Sequence, residues 1–163
     1  MAHAPVVLVV EDEPSVQTTF CATLTLMGFK THHADCVDRA LEILSRERID
    51  AVSLDVRLPD PKGQDRSGLT LLAYLRATTE YAHLPVLIFT GVPLSPEEEG
   101  VIQQHNAEVF YKPQRYTTLV DCLTRMLGAF TVDGQPAGEK KAAICGPENV
   151  LGESTRECRR APD

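Results

Sequence analysis

Four apolar runs each end on a residue able to do chemistry. Glu11-Asp12-Glu13 follows Pro5 to Val10, Asp55 ends the strand read within Ala51 to Val56, Thr90 closes Pro85 to Thr90, and Lys112-Pro113 follows Ala107 to Tyr111. Any one of these is an ordinary loop or strand-end residue; brought together on one rim, they form a reactive set. Carboxylates about 4 Å apart repel by roughly 4 kcal/mol per pair at an effective dielectric near 20, so such a cluster needs a cation or a protonated member. Hard oxygen ligands suit Mg²⁺, which keeps several waters and leaves room for a phosphoryl oxygen. The apolar run before Asp55 should hold that carboxylate firmly, and a fixed carboxylate can attack phosphorus to give an aspartyl phosphate. Metal and Lys112 would offset the charge, and the Thr90 hydroxyl would donate to a phosphoryl oxygen.

The elements that must position these residues are legible in the spacing. The four runs are β-rich, and three are almost wholly apolar, as parallel strands covered on both faces should be. Lys30 to Ala34 supplies the remaining strand. Between them, Val16, Phe20, Leu24 and Met27 make one helical stripe after Pro14 with Gly28 at its stop; Val37, Leu41 and Leu44 make a second. Leu69, Leu71, Leu72 and Leu75 mark a third helix, and Leu119, Leu123, Met126 and Leu127 a last one. Ser95-Pro96-Glu97-Glu98 reads as a capping box that starts a fourth helix with proline in its first turn. Five strands alternating with five helices predict an α/β fold, a doubly wound parallel sheet with helices on both faces. Ligands in such sheets bind beyond the carboxyl ends of the strands, where all the candidates fall.

Composition narrows the classes. The chain has 163 residues, room for one domain or one domain with a tail. Its 16 basic against 23 acidic residues, a net charge of −7, argue against a nucleic-acid binder that works by neutralising phosphates and point to proteins or cations as partners. The apolar runs are far shorter than the ~18 residues of a membrane span and nothing resembles a signal peptide, so a cytoplasmic protein is expected. Cys21, Cys36, Cys122, Cys145 and Cys158 are odd in number and contain no C-x-x-C pair, which points to reduced thiols. The adjacent His32 and His33 face opposite ways if extended. Residues 131–163 hold seven of the chain's 21 Gly and Pro and read as a poorly ordered extension. Residues 1–130 carry 11 basic against 17 acidic side chains and are where acidic chemistry is to be sought.

VVLVVEDEP, SLDVRLP, VLIFTG and VFYKP, in this order, resemble the receiver domain of bacterial two-component response regulators, over roughly residues 5 to 130. The resemblance implies a flavodoxin-like sheet of order 2-1-3-4-5. It implies that Asp55 accepts a phosphoryl group from a partner histidine kinase or phosphotransfer protein, and that Glu11 and Asp12 hold Mg²⁺ with Asp55 and the backbone carbonyl of Arg57. Thr90 and Lys112 would follow the phosphoryl group, and Lys112-Pro113 would be a cis peptide that aims the lysine. Output would then pass to a downstream protein, or to a second copy, through the fourth helix, fifth strand and fifth helix, with no direct contact to nucleic acid or membrane. A domain of this kind is a phosphoacceptor rather than an enzyme, assisting only its own phosphorylation and dephosphorylation.

Three departures bear on that reading. The loop from Asp60 to Ser67 is about five residues longer than the family's usual loop, which could gate access or select a partner. Val109 stands where the family has its rotating aromatic, the aromatics being displaced to Phe110 and Tyr111, and this favours an alternative: a receiver-like interaction module that does not need phosphate. Arg57 and Val92 occupy positions that in the family tune the lifetime of the phosphoryl group, and suggest slow autodephosphorylation. A Mg²⁺-dependent phosphohydrolase would place a second acid two residues after the nucleophile, where this chain has Arg57.

Overall fold

The computed structural model describes residues 3–59 and 67–128. The long loop, apart from Ser67, and the extension 131–163 lie outside the described residues. The elements run β1 (Val6–Val10), α1 (Pro14–Leu26), β2 (Lys30–Ala34), α2 (Val37–Arg46), β3 (Ala51–Leu54), α3 (Gly68–Ala77), β4 (Val86–Thr90), α4 (Pro96–Gln104), β5 (Glu108–Tyr111) and α5 (Tyr116–Gly128). All strand pairs are parallel and the order is β2-β1-β3-β4-β5, the expected doubly wound arrangement.

The sheet owes its form to which residues it buries. β1, β3 and β4 are buried along their whole length, hence their unbroken apolar sequences. β2 lies at an edge and can carry Lys30, His32 and His33. Alternation then divides the core. Leu8, Val10, Val52, Leu54, Val86, Ile88 and Val109 pack under α2, α3 and α4. Val7, Val9, Ala51, Leu87, Phe89 and Phe110 pack under α1 and α5. His32 lies level with Leu8 and His33 with Val9, so the two imidazoles do face opposite sides.

Helix starts follow the local chemistry. α4 opens with the expected capping box: Ser95 Oγ accepts from the Glu98 N–H at 3.2 Å, and Glu98 Oε2 accepts from the Ser95 N–H at 2.8 Å. Pro14 and Pro96 sit in first turns, where no N–H is missed. The α1 stripe is shorter than its spacing predicts. Phe20 and Leu24 are buried, but Met27 is exposed, because Gly28 turns the chain at φ +91° and delivers Phe29 to the core instead. Cys21, Cys36 and Cys122 are free thiols; Cys145 and Cys158 lie outside the described residues.

Two contacts fix the loops that carry the site. Arg76 at the end of α3 donates to the carbonyls of Leu84 and His105 at 2.8 Å and of Tyr81 at 3.4 Å, tying α3 to the entry of β4 and the exit of α4. Gly68 packs directly on the peptide of Asp55: a Cβ there would collide with the Asp55 carbonyl oxygen. Because that neighbour is backbone, relief requires moving Asp55 itself.

Two outcomes follow. Arg76→Met strands carbonyls that now accept from the guanidinium, and should lower the unfolding free energy by about 2 kcal/mol in a urea titration; an unchanged midpoint contradicts the tie. Gly68→Ala should cost about as much or more, because it shifts the β3–α3 junction by contact with backbone, and should shift the Asp55 and Val56 amide resonances more than those of β2.

Candidate functional site

The sheet order reverses between β1 and β3, so the loops after these two strands diverge and leave a crevice beyond their carboxyl ends. Backbone pairing carries each candidate residue past its strand in register. The Glu11 N–H donates to the Ala34 carbonyl at 2.9 Å, the Asp55 N–H to the Val10 carbonyl at 3.0 Å, and the Lys112 N–H to the Thr90 carbonyl at 2.8 Å. Asp55 thus sits one residue beyond β3 rather than in it, held by the neighbouring strand.

The side chains converge. Carboxylate oxygens of Glu11, Asp12 and Asp55 lie within 4.8 Å of one another, with Glu11 and Asp55 buried and Asp12 exposed. Lys112 Nζ donates to Glu11 Oε2 and to Asp55 Oδ2, each at 2.7 Å. The other oxygen of Asp55 accepts from the Arg57 N–H at 3.1 Å, and the other oxygen of Glu11 from the Glu13 N–H at 3.2 Å. Lys112 is only 17% exposed and lies 5.3 Å from the centre of the Phe89 ring. That ring belongs to an aromatic group with Phe20 and Tyr116 that joins α1 to α5 beneath the site. The lysine stem therefore rests on packed rings while its head points at carboxylates.

Electrostatics follow from this geometry. Burial would pull the Lys112 ammonium down, but its hydrogen bonds to Asp55 and Glu11, together with their charges, hold it above the ordinary lysine value, so it stays cationic. Burial pushes the Glu11 carboxyl up; Lys112 opposes the rise and the nearby Asp55 charge adds to it. One ammonium faces three carboxyl groups, so ionised they leave two negative charges uncompensated. A hard divalent cation matches that donor set, with Glu11, Asp12 and Asp55 as its protein oxygens.

Thr90 is fully buried at the end of β4. Its Oγ1 accepts from the Val92 N–H at 3.5 Å and makes no hydrogen bond to Asp55. Val109 is buried opposite Ile88, and together with Leu94, Ile102, Ala107 and Tyr111 it lines a small apolar recess between β5 and α4. Of the two displaced aromatics, Tyr111 shares the face of Val109, whereas Phe110 belongs to the opposite core. The Lys112–Pro113 peptide is cis, as the resemblance implies. Gly68, pressed on Asp55, and Glu98, paired with Arg57 at 2.8 Å, are site neighbours the sequence did not single out. The SxxE capping box marked Glu98 only as a helix start, and Gly68 gave no sign beyond a loop boundary.

Comparison with known proteins agrees with this geometry. The family model described as the response regulator receiver domain matches residues 7–124. The response regulator protein FleR of Pseudomonas aeruginosa is 34% identical over 119 residues, covering 73% of this chain and 24% of FleR; the chain thus spans about a quarter of that curated relative. Among solved structures, the receiver domain of a sensor histidine kinase from Pseudomonas aeruginosa PAO1, with a magnesium ion coordinated in its active site cleft, is 26% identical with a TM-score of 0.65, covering 77% of this chain and 99% of that one. The chemotaxis protein CheY4 of Vibrio cholerae, also 26% identical, superposes with a TM-score of 0.67 over 76% of this chain and 99% of its own. No helix among the described residues is long and apolar enough to cross a membrane. With its strand order, its acidic rim and its match over residues 7–124, the chain belongs to the response regulator receiver domain family of two-component systems, signalling domains rather than classical enzymes.

Proposed function

We propose that Asp55 is a phosphoacceptor served by a phosphohistidine on a partner histidine kinase or phosphotransfer protein. The observation that carries this reading is the convergence of Glu11, Asp12, Asp55 and Lys112 on one point at the switch of strand order. An oxygen of Asp55 attacks phosphorus, the P–N bond to the donor imidazole breaks, and the electron pair returns to the ring nitrogen. Glu11, Asp12 and Asp55, with the Arg57 carbonyl as a further oxygen, would hold a divalent cation, which would supply positive charge beside the transferring group. Lys112 is already hydrogen-bonded to the oxygen of Asp55 beside which the phosphoryl group would lie, so it need only shift from carboxylate to phosphoryl oxygen. Thr90, free of Asp55, keeps its hydroxyl available for the same group.

The added dianion draws Thr90 and Lys112 inward and alters the face formed by α4, β5 and α5, which we read as the surface for a downstream protein or a second copy. The buried Val109 favours a second reading, a module whose partner binds without phosphate, because no aromatic ring stands at that position to move.

Incubation with acetyl phosphate and Mg²⁺ should add one phosphoryl mass to the chain and none to Asp55→Asn; folded wild-type protein that gains no mass would favour the phosphate-independent module. Lys112→Met leaves Glu11 and Asp55 buried without their counter-ion and should cost about 3 kcal/mol of stability. Added Mg²⁺ should raise the melting temperature of that variant more than that of the wild type, since the ion binds only the folded cluster. Equal shifts would mean that metal and lysine do not share the same charge.

A further inference from the structure

One ion pair leaves the acidic rim and reaches a helix. Arg57 Nη1 lies 2.8 Å from Glu98 Oε1, while the N–H of the same residue donates to Asp55 Oδ1 at 3.1 Å. Glu98 is also the third residue of α4, and its other oxygen closes the capping box on Ser95. Arg57 therefore touches the reactive carboxylate with its main chain and the first turn of α4 with its side chain. Its side chain is half exposed, at 52%, whereas that of Glu98 is 18% exposed. The arginine is the partner free to swing, and the glutamate is fixed by its cap. α4 itself is lightly anchored, since Ile102 is the one residue of the helix that is buried.

We propose that the Arg57–Glu98 pair is a latch: it holds the first turn of α4 to the loop after β3, and a phosphoryl dianion on Asp55 opens it by drawing the guanidinium away from Glu98. The proposal rests on the reading of Asp55 as phosphoacceptor. The competition is unequal, because a phosphoryl group carries close to two charges and three strong acceptors and suits the planar fork of arginine, whereas Glu98 offers one carboxylate already engaged with its cap. Glu98 keeps the capping box after release, so the helix persists and only its tether is lost. Glu98 is thus a positioning residue, setting where Arg57 stands before phosphorylation.

Beryllofluoride with Mg²⁺ tests the latch on the full chain, through its dissociation constant for wild type, Glu98→Gln, Arg57→Ala and the double variant. Glutamine still accepts the Ser95 N–H, so the helix start survives. Glu98→Gln removes the competitor and should bind the mimic about two- to five-fold more tightly, the range an exposed ion pair spans; the gain should vanish in the Arg57→Ala background. Amide exchange at residues 97–99 should rise when wild type binds the mimic, and should already be raised in unbound Glu98→Gln. Equal affinity of wild type and Glu98→Gln, or a gain that survives Arg57→Ala, overturns the latch alone. Failure of folded wild type to bind the mimic would overturn the phosphoacceptor reading, and the latch with it.

Discussion

Concentrated negative charge at the carboxyl edge of the sheet is the constraint on which the rest of this structure turns. Three carboxyl groups share a space of 4.8 Å, two of them buried, and one ammonium answers them. At such separations each unscreened pair repels by a few kcal/mol, so the arrangement persists only because stronger terms hold it. Those terms are the burial of β1, β3 and β4 and the backbone bonds that carry strand pairing one residue past β1, β3 and β5, through Glu11, Asp55 and Lys112. The fold forces the charges together, and their donor set suits a hard divalent cation and, on the proposed reading, a phosphoryl group able to share it.

The neighbourhood of the cluster is shaped by the same demand. Lys112 reaches its carboxylates over Phe89, which packs with Phe20 and Tyr116 between α1 and α5, so the α1/α5 layer sets the position of the cation. Asp55 is aimed from beneath by Gly68, where no side chain fits, and from the front by the Arg57 N–H. Arg57 then extends the influence of the site to Glu98 and the start of α4. Chemistry at one atom thereby meets both helical layers, as an interaction domain that reports its own state requires.

Much of this was legible in the sequence because it rests on local rules. Continuous apolar runs placed four strands, 3.6-residue stripes placed four helices, the capping box at Ser95 placed the fourth helix and the alternation itself called for β2, and the strand-end position of Glu11, Asp12, Asp55, Thr90 and Lys112 brought them to one rim. What was not legible depends on contacts between distant segments. The exposure of Met27 follows from the left-handed turn at Gly28, which substitutes Phe29 in the core. Gly68 matters through an approach to Asp55, 13 positions earlier in the chain, and Glu98 through an arginine from another loop. Tyr111 could be separated from Phe110 only once strand register fixed which face each occupies.

The most direct test of the charge account is a Mg²⁺ titration of the unphosphorylated chain followed by amide NMR. The account predicts saturable binding of one ion per chain, with shifts concentrated at Glu11, Asp12, Asp55, Arg57 and Lys112 and lost in Asp12→Asn with Asp55→Asn. Absence of saturable binding, or shifts centred away from the ends of β1 and β3, would contradict it.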